Sequence, residues 1–171
     1  MLSAQVKYVN MPSEQKSHLS QWLWISILVI VLDQSTKLLA DHFLHYQQPI
    51  SIIPMFNFTL LYNKGAAFSF LNDAGGWQRW FFTIVSSVIS IVLIIWLHKL
   101  KTSQKLLITS IALILGGAVG NLIDRSVYGH VIDFLDVYYQ QYHWPAFNIA
   151  DSAISIGAVL LIIDSLKNKH E

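Results

Sequence analysis

The chain has 171 residues, of which 54% are hydrophobic and only 12% are charged, and these proportions indicate a membrane protein rather than a soluble domain. Its formal net charge of +1, with lysines and arginines scattered along the chain, excludes the basic surface that nucleic-acid binding requires. The absence of cysteine excludes disulfides, thiolate metal ligands and a cysteine nucleophile, so any catalysis must use other side chains.

Four stretches are apolar and long enough to cross the hydrocarbon core of a bilayer, which takes about 20 helical residues. They are residues 22–43, 80–97, 106–123 and 149–166. The first stretch leads into polar residues rather than a small-residue cleavage site, so we expect a retained helix and not a secretory signal peptide. The sequence therefore predicts an all-α integral membrane protein with one four-helix domain at residues 22–166.

The positions of the lysines predict how these helices are oriented, because positive residues are enriched in cytoplasmic segments. Seven lysines lie near the helix ends at one membrane side, whereas the two other connections carry only Lys64, Arg79 and Arg125; the seven are Lys7, Lys16, Lys99, Lys101, Lys105, Lys167 and Lys169. Both termini, residues 1–21 and 167–171, are therefore expected in the cytoplasm. The connections after the first and third helices, poor in positive residues and rich in aromatic ones, are expected at the outer face.

The first outer connection contains a predicted strand. Apolar side chains recur at every second residue at Phe56, Phe58, Leu60 and Tyr62, which is the period of a strand, here lying on the membrane surface. This strand and the small-residue turn after it form an outer region at about residues 50–70. The second outer region, about residues 126–147, is predicted to be an outer-surface loop, whose aromatic-rich part is expected to act as a mobile cover.

Two aspartates, Asp133 and Asp151, stand out because each lies at the membrane edge of a very apolar chain. Two carboxylates in such a setting suggest a catalytic pair. Other polar residues from separate segments are expected at or below the same membrane edge: Asp33, Lys37, Asn63, Asn121, Asp124, Arg125 and Asn148. Convergence of these residues from several segments is stronger evidence for a site than any one of them.

Each of these residues also has a purely structural interpretation. Asp33 and Lys37 are four residues apart on a helix and could simply neutralise each other. Asn121, Asp124 and Arg125 share a helix face and could anchor the helix at the interface. These interpretations remain open at the level of the sequence.

The remaining alternatives concern the two aspartates and Asn148. Asn148 with Asp151 three residues later could be a helix N-cap with an acidic partner. Asp133 could be a solvated loop acid, although its apolar neighbours favour a partly dry environment. The seven histidines are dispersed and form no ligand cluster at metal spacing, so neither a metal nor a cofactor is predicted.

Five sequence blocks, in chain order, resemble those of bacterial lipoprotein signal peptidase, also called signal peptidase II. They are residues 33–37 (DQSTK), 63–68 (NKGAAF), 116–125 (GGAVGNLIDR), 131–134 (VIDF) and 147–151 (FNIAD). The resemblance covers nearly the whole chain apart from about the first twenty residues and the tail.

The resemblance implies an aspartic endopeptidase that cuts diacylglyceryl-modified prolipoproteins just before the lipidated cysteine. It also implies a small β-cradle made from the first outer connection, which fits the strand predicted there. By motif position, Asp133 and Asp151 would be the catalytic pair, and Asp33 and Lys37 would be structural. The residues that would bind substrate or support the site are Asn63, Gly65, Asn121, Asp124, Arg125 and Asn148. The expected protein is a monomer of the bacterial inner membrane, in contact with lipid, with its active site near the outer face.

The chemistry of two confined carboxylates agrees with this implication. Two such acids cannot both ionise easily, so the pair holds one proton and can supply both a general base and a general acid. A proton- or ion-coupled membrane transporter would also place acids inside a helix bundle, but it would be expected to carry them across the full membrane depth. A noncatalytic scaffold would explain a capping residue but not the additional polar residues at the same level.

Overall fold

A computed structural model describes residues 22–65 and 77–168. The four helices are α1 Leu23–Phe43, α2 Trp77–Lys99, α3 Lys105–Val127 and α4 Ile149–Asn168. The four strands are β1 Ile50–Ile53, β2 Phe56–Asn63, β3 Val131–Tyr139 and β4 Tyr142–His143. Residues 1–21, 66–76 and 169–171 lie outside the described residues, and with them the predicted N-terminal segment and part of the predicted outer region at about residues 50–70.

The four predicted membrane-spanning helices are confirmed, and each is long and apolar enough to cross a bilayer. Helix α1 agrees with its predicted range to within one residue, whereas α2, α3 and α4 extend beyond theirs, most clearly α3, which continues past Ile123 to Val127. The apolar run ends at Ile123, but Asp124 and Arg125 continue the helix because their side chains find partners inside the protein. Hydrophobicity alone therefore underestimates the length of this helix.

Helix α3 lies at the centre of the bundle and packs against the other three helices. Small residues permit its close approach to α1, since a side chain at Gly120 would collide with the carboxylate of Asp33. The apolar core lies between the second half of α2 and the first half of α3, and includes Leu97, Ile108 and Ile111. The buried charged residues lie at the opposite end of α3, next to the sheet.

The strands form one antiparallel sheet in the order β1-β2-β3-β4. The strand expected in the first outer connection is confirmed as β2. The outer connection predicted at about residues 126–147 contains two strands that the sequence did not predict, β3 and β4, and α3 extends into its first two residues. Strand β3 forms by pairing with β2, from Phe56 opposite Val137 to Asn63 opposite Val131, and such long-range pairing leaves no local signal.

A buried carboxylate joins three strands of this sheet. Asp136 on β3 accepts hydrogen bonds from Asn57 at 3.2 Å and Thr59 at 3.0 Å, both on β2, and contacts His143 Nδ1 on β4 at 2.8 Å. Burial raises the pKa of Asp136, but these three partners outweigh it and hold the pKa below its ordinary value. The segment predicted to be a mobile cover is thus tied to the strand beside it.

Backbone hydrogen bonds then return the chain to β3 before α4 begins. Phe147 accepts bonds from the backbone N–H groups of Phe134 and Leu135, and its own N–H donates to Leu135 at 3.1 Å. These bonds place Asn148, the next residue, beside Asp133. The start of α4 is therefore fixed against the strand that carries the first aspartate.

Candidate active site

Asp133 lies inside the protein on β3 and is only 3% exposed, so the solvated loop acid considered from the sequence is wrong. One carboxylate oxygen accepts a hydrogen bond from Asn63 Nδ2 at 3.1 Å, and the other accepts one from Asn148 Nδ2 at 2.7 Å. Burial and, after it, the negative charge of Asp151 raise the pKa of Asp133 from 3.8 to about 7. At neutral pH this carboxyl group is therefore protonated in a large fraction of the molecules.

Asn148 links the two aspartates. Its Oδ1 accepts a hydrogen bond from the backbone N–H of Asp151 at 2.9 Å, which is the N-cap predicted from the sequence. Its Nδ2 donates at the same time to the Asp133 carboxylate. The capping prediction is confirmed, and the same side chain also takes part in the cluster of acids.

Asp151 occupies the first turn of α4, where it is half-buried. Asn121, buried on α3, donates from Nδ2 to Asp151 Oδ1 at 2.8 Å, while its Oδ1 accepts a longer bond of 3.3 Å from Asn148 Nδ2. The two aspartates, from a strand and a helix, are thus held by two asparagine amides. Asn121 is not the interfacial anchor that the sequence left open.

Asn63 is fixed by the turn that follows β2. Its Oδ1 accepts a hydrogen bond from the backbone N–H of Gly65 at 2.9 Å, which leaves Nδ2 to donate to Asp133. Gly65 has a φ of +118°, and a side chain there would collide with the ring of Phe82. Only glycine satisfies both conditions without strain.

A buried ionic cluster of Lys37, Asp33 and Asp124 lies next to the two aspartates. Lys37 Nζ lies 2.8 Å from a carboxylate oxygen of Asp33 and 2.8 Å from one of Asp124, so the predicted Asp33–Lys37 pair is confirmed and extended. Asp33 also accepts a bond from Ala150 N–H at 2.9 Å at the start of α4, and Asp124 accepts one from Ile132 N–H at 3.2 Å. Each acid therefore holds the backbone beside one of the candidate catalytic residues, and Asp124 is no surface anchor.

Arg125 lies half-buried at the end of α3 and interacts electrostatically with Asp151, Asp133 and Asp124. Its guanidinium carbon lies 5.5 Å from the centre of the Phe82 ring. Its Nε is buried and has no hydrogen-bond partner among the residues that the structure describes. A buried N–H without a partner is costly.

All nine polar residues selected from the sequence, and Gly65, thus belong to one continuous set of contacts. Residues 25–167 match the family model described as signal peptidase (SPase) II. The chain belongs to the signal peptidase II family. This membership confirms the resemblance carried by the five sequence blocks.

Individual members of the family are similar over most of their length. The lipoprotein signal peptidase of Alteromonas mediterranea is 57% identical over 148 residues, which cover 86% of this chain and 81% of that protein. The lipoprotein signal peptidase of Cupriavidus pinatubonensis is 56% identical over 151 residues, which cover 87% and 85%. A solved structure described as a bacterial membrane enzyme at 2.3 Å resolution is 33% identical, with a TM-score of 0.79 over 92% of this chain and 94% of that one.

Membership in the signal peptidase II family and the four apolar helices identify the chain as a multi-pass protease of the bacterial inner membrane. The relatives named above are signal peptidases, so they give no support to the transporter considered from the sequence. The scaffold alternative likewise fails to account for a protease family.

Sequence reasoning missed two residues that hold this family's candidate site together. Gln34 donates from Nε2 to Asp124 at 2.8 Å, to Gly120 O at 3.2 Å and to Asp33 at 3.2 Å. Arg79 donates to the carbonyl groups of Arg125 and Ser126 at the end of α3, at 3.1 and 2.7 Å. A polar residue inside the apolar run of α1 was a signal for Gln34, whereas nothing local distinguished Arg79.

Proposed function

We propose that this chain is an aspartic endopeptidase that removes the signal peptide of diacylglyceryl-modified prolipoproteins just before the lipidated cysteine, with Asp133 and Asp151 as the catalytic pair. The observation that carries the proposal is the arrangement of these two acids. They come from different elements, both are bound by Asn121 or Asn148, and the negative charge of Asp151 contributes to the raised pKa of Asp133. Such an arrangement suits a pair that shares one proton.

In this mechanism Asp133 holds the shared proton, because it is the acid with the pKa of about 7, and Asp151 is ionised. Asp151 accepts a proton from water as the water oxygen bonds to the scissile carbonyl carbon, and Asp133 gives its proton to the carbonyl oxygen. Asp133 takes that proton back when the tetrahedral intermediate collapses. The bond to nitrogen then breaks, and the proton on Asp151 passes to the leaving amine of the lipidated cysteine.

The residues around the pair have supporting roles in this proposal. The guanidinium group of Arg125 interacts electrostatically with both acids, so it is suited to hold a backbone carbonyl of a substrate bound beside them. Asn63 and Gly65 orient one donor to Asp133. Asp33, Lys37 and Asp124 hold the backbone around the two acids and do not contact the substrate.

We further propose that both termini face the cytoplasm and that the site lies near the outer face of the membrane. The end of α3, the start of α4 and the whole sheet lie at one end of the bundle. The other end carries the connection between α2 and α3, with Lys99, Lys101 and Lys105. A signal peptide is itself an apolar helix, so its lipidated cysteine would reach the outer end of the bundle from within the lipid, where the enzyme acts as a monomer.

A cleavage assay tests the proposed function directly. The purified chain in detergent is expected to cut a synthetic prolipoprotein peptide carrying a diacylglyceryl cysteine, and mass spectrometry of the products should place the cut on the N-terminal side of that cysteine. The matched peptide without the lipid is the control and is expected to be cut much more slowly. No cleavage by folded protein, together with ion flux in proteoliposomes, would favour the transporter instead.

The pH dependence of cleavage is a second test, because the mechanism requires a proton on Asp133. Its pKa of about 7 predicts that kcat/KM falls as pH rises above 7, by about tenfold for each further unit. Initial rates at low substrate concentration between about pH 6 and 9 measure this limb, and a return to pH 6 must restore the rate. A flat profile up to pH 9 would contradict the assignment of the proton.

A further inference from the structure

Lys37 has an ammonium group inside the protein, with only 1% of the residue exposed. Its Nζ contacts three acceptors: a carboxylate oxygen of Asp33 at 2.8 Å, one of Asp124 at 2.8 Å, and Asn121 Oδ1 at 2.9 Å. An ammonium group has three N–H donors and no acceptor, so these contacts use its whole capacity. The two carboxylates balance the charge of the ammonium group, but charge balance does not explain the contact with the uncharged Asn121.

The contact with Asn121 determines which way round that amide lies. Because Lys37 can only donate, Asn121 must present its oxygen to the ammonium group, and its NH2 group then faces Asp151, where it donates at 2.8 Å. The reversed amide would place NH2 against an ammonium group and oxygen against a carboxylate. Lys37 therefore excludes the orientation of Asn121 that would repel Asp151.

The same ammonium group also acts towards Asp133. Its second partner, Asp124, uses the oxygen that contacts Lys37 to accept a bond from Ile132 N–H, one residue before Asp133 on β3. Gln34 holds the other oxygen of Asp124 at 2.8 Å. One buried side chain on α1 is thus connected to both aspartates, to each through a single intermediate residue.

We propose that Lys37 is a positioning residue for the catalytic pair and is more than a structural partner of Asp33. Lys37 orients the amide of Asn121 towards Asp151 and, through Asp124, holds the strand backbone just before Asp133. This inference rests on the proposed function of the two aspartates. Lys37 contacts neither acid directly in the hydrogen bonds described, and it would not touch the substrate.

Two substitutions of similar length separate the donor of Lys37 from its charge. Lys37→Gln removes the charge but keeps an N–H donor, one bond closer to the backbone than Nζ, whereas Lys37→Met removes both. We expect Lys37→Met to have a kcat about a hundredfold lower than Lys37→Gln, with KM unchanged, because a displaced catalytic group costs about that much. Equal kcat values in the two variants, at equal folding by thermal melt, would overturn the proposal.

The pH profile reports the charge of Lys37 separately from its N–H donor. The charge of Lys37 lowers the pKa of Asp133, so both variants should shift the alkaline limb of kcat/KM to higher pH than in wild type. If Lys37→Met does not fold, the same comparison is made with Asp124→Asn added to both variants, which restores the formal charge of −1 that the three residues carry in wild type.

The outcomes distinguish this inference from the proposed function. Cleavage by wild type, with equal kcat in the two variants at equal folding, overturns the role of Lys37 alone. Absence of cleavage by folded wild type overturns the proposed function. In that case the infrared band of the protonated Asp133 carboxyl is followed against pH in wild type and in Lys37→Gln. The band is assigned by its loss in Asp133→Asn. An unchanged pH midpoint of this band would also overturn the inference.

Discussion

Asp133→Asn and Asp151→Asn are each expected to lower kcat by at least about a thousandfold, because each removes a group that must give or take a proton in every turnover. The Asp151 change is the cleaner of the two. Its described side-chain partner is the Asn121 donor, which the oxygen of the new amide can still satisfy. Both oxygens of Asp133 accept amide N–H groups, so an NH2 group there meets a donor and should also lower the thermal stability.

Single-turnover cleavage rates on the lipidated peptide, together with thermal melts, measure this prediction. Asp41→Asn is a matched control, because Asp41 is an exposed carboxylate outside the site whose bond from Tyr62 Oη, 2.8 Å long, an asparagine oxygen can also accept. The control is expected to keep its activity. A folded Asp133→Asn or Asp151→Asn variant with a rate near that of the control would remove that acid from the mechanism.

Asn148→Ala is expected to combine the largest losses of stability and activity among the uncharged residues of the site. It removes the N-cap of α4, worth about 1 kcal/mol, and leaves a buried oxygen of Asp133 without its closest donor, which costs about 1–3 kcal/mol. With the Asp133 carboxyl released and the backbone N–H of Asp151 left without its cap, kcat should fall by about a hundredfold.

Asn148→Ser separates the two roles of this residue. Serine caps a helix about as well as asparagine, but its hydroxyl cannot also supply the amide donor that binds Asp133. We expect the serine variant to melt at a higher temperature than the alanine variant while its kcat stays about as low. Recovery of both stability and kcat in Asn148→Ser would show that the cap alone is needed.

The sequence predicted the helices well, because the cause of each is local. A run of about 20 apolar residues must form a helix in lipid to satisfy its backbone groups, whatever the rest of the chain does. The cap at Asn148 is local in the same sense, since it depends on residues three positions apart. Asp133 and Asp151 could also be selected as candidates from the sequence, because burying a carboxylate among apolar residues costs free energy.

The second strand region could not be predicted in this way. Residues 131–136 are apolar apart from Asp133 and Asp136, and this composition does not distinguish a strand from an apolar loop. What makes them a strand is pairing with residues 56–63, about 70 positions earlier. The sequence likewise offered no reason to select Asp136, because its partners Asn57 and Thr59 lie on another strand.

The sequence by itself determined the four membrane helices and the family to which the chain belongs, and it selected nine polar residues and Gly65 that the structure brings into one set of contacts. Only the tertiary structure decided how those residues are connected: Lys37 to Asn121, Asn121 to Asp151, and Asn148 to Asp133. The physical reason is that hydrophobicity and capping act within a helical turn or along one segment, whereas the direction of a hydrogen bond between distant residues depends on donors and acceptors that meet only when the bundle and the sheet have packed.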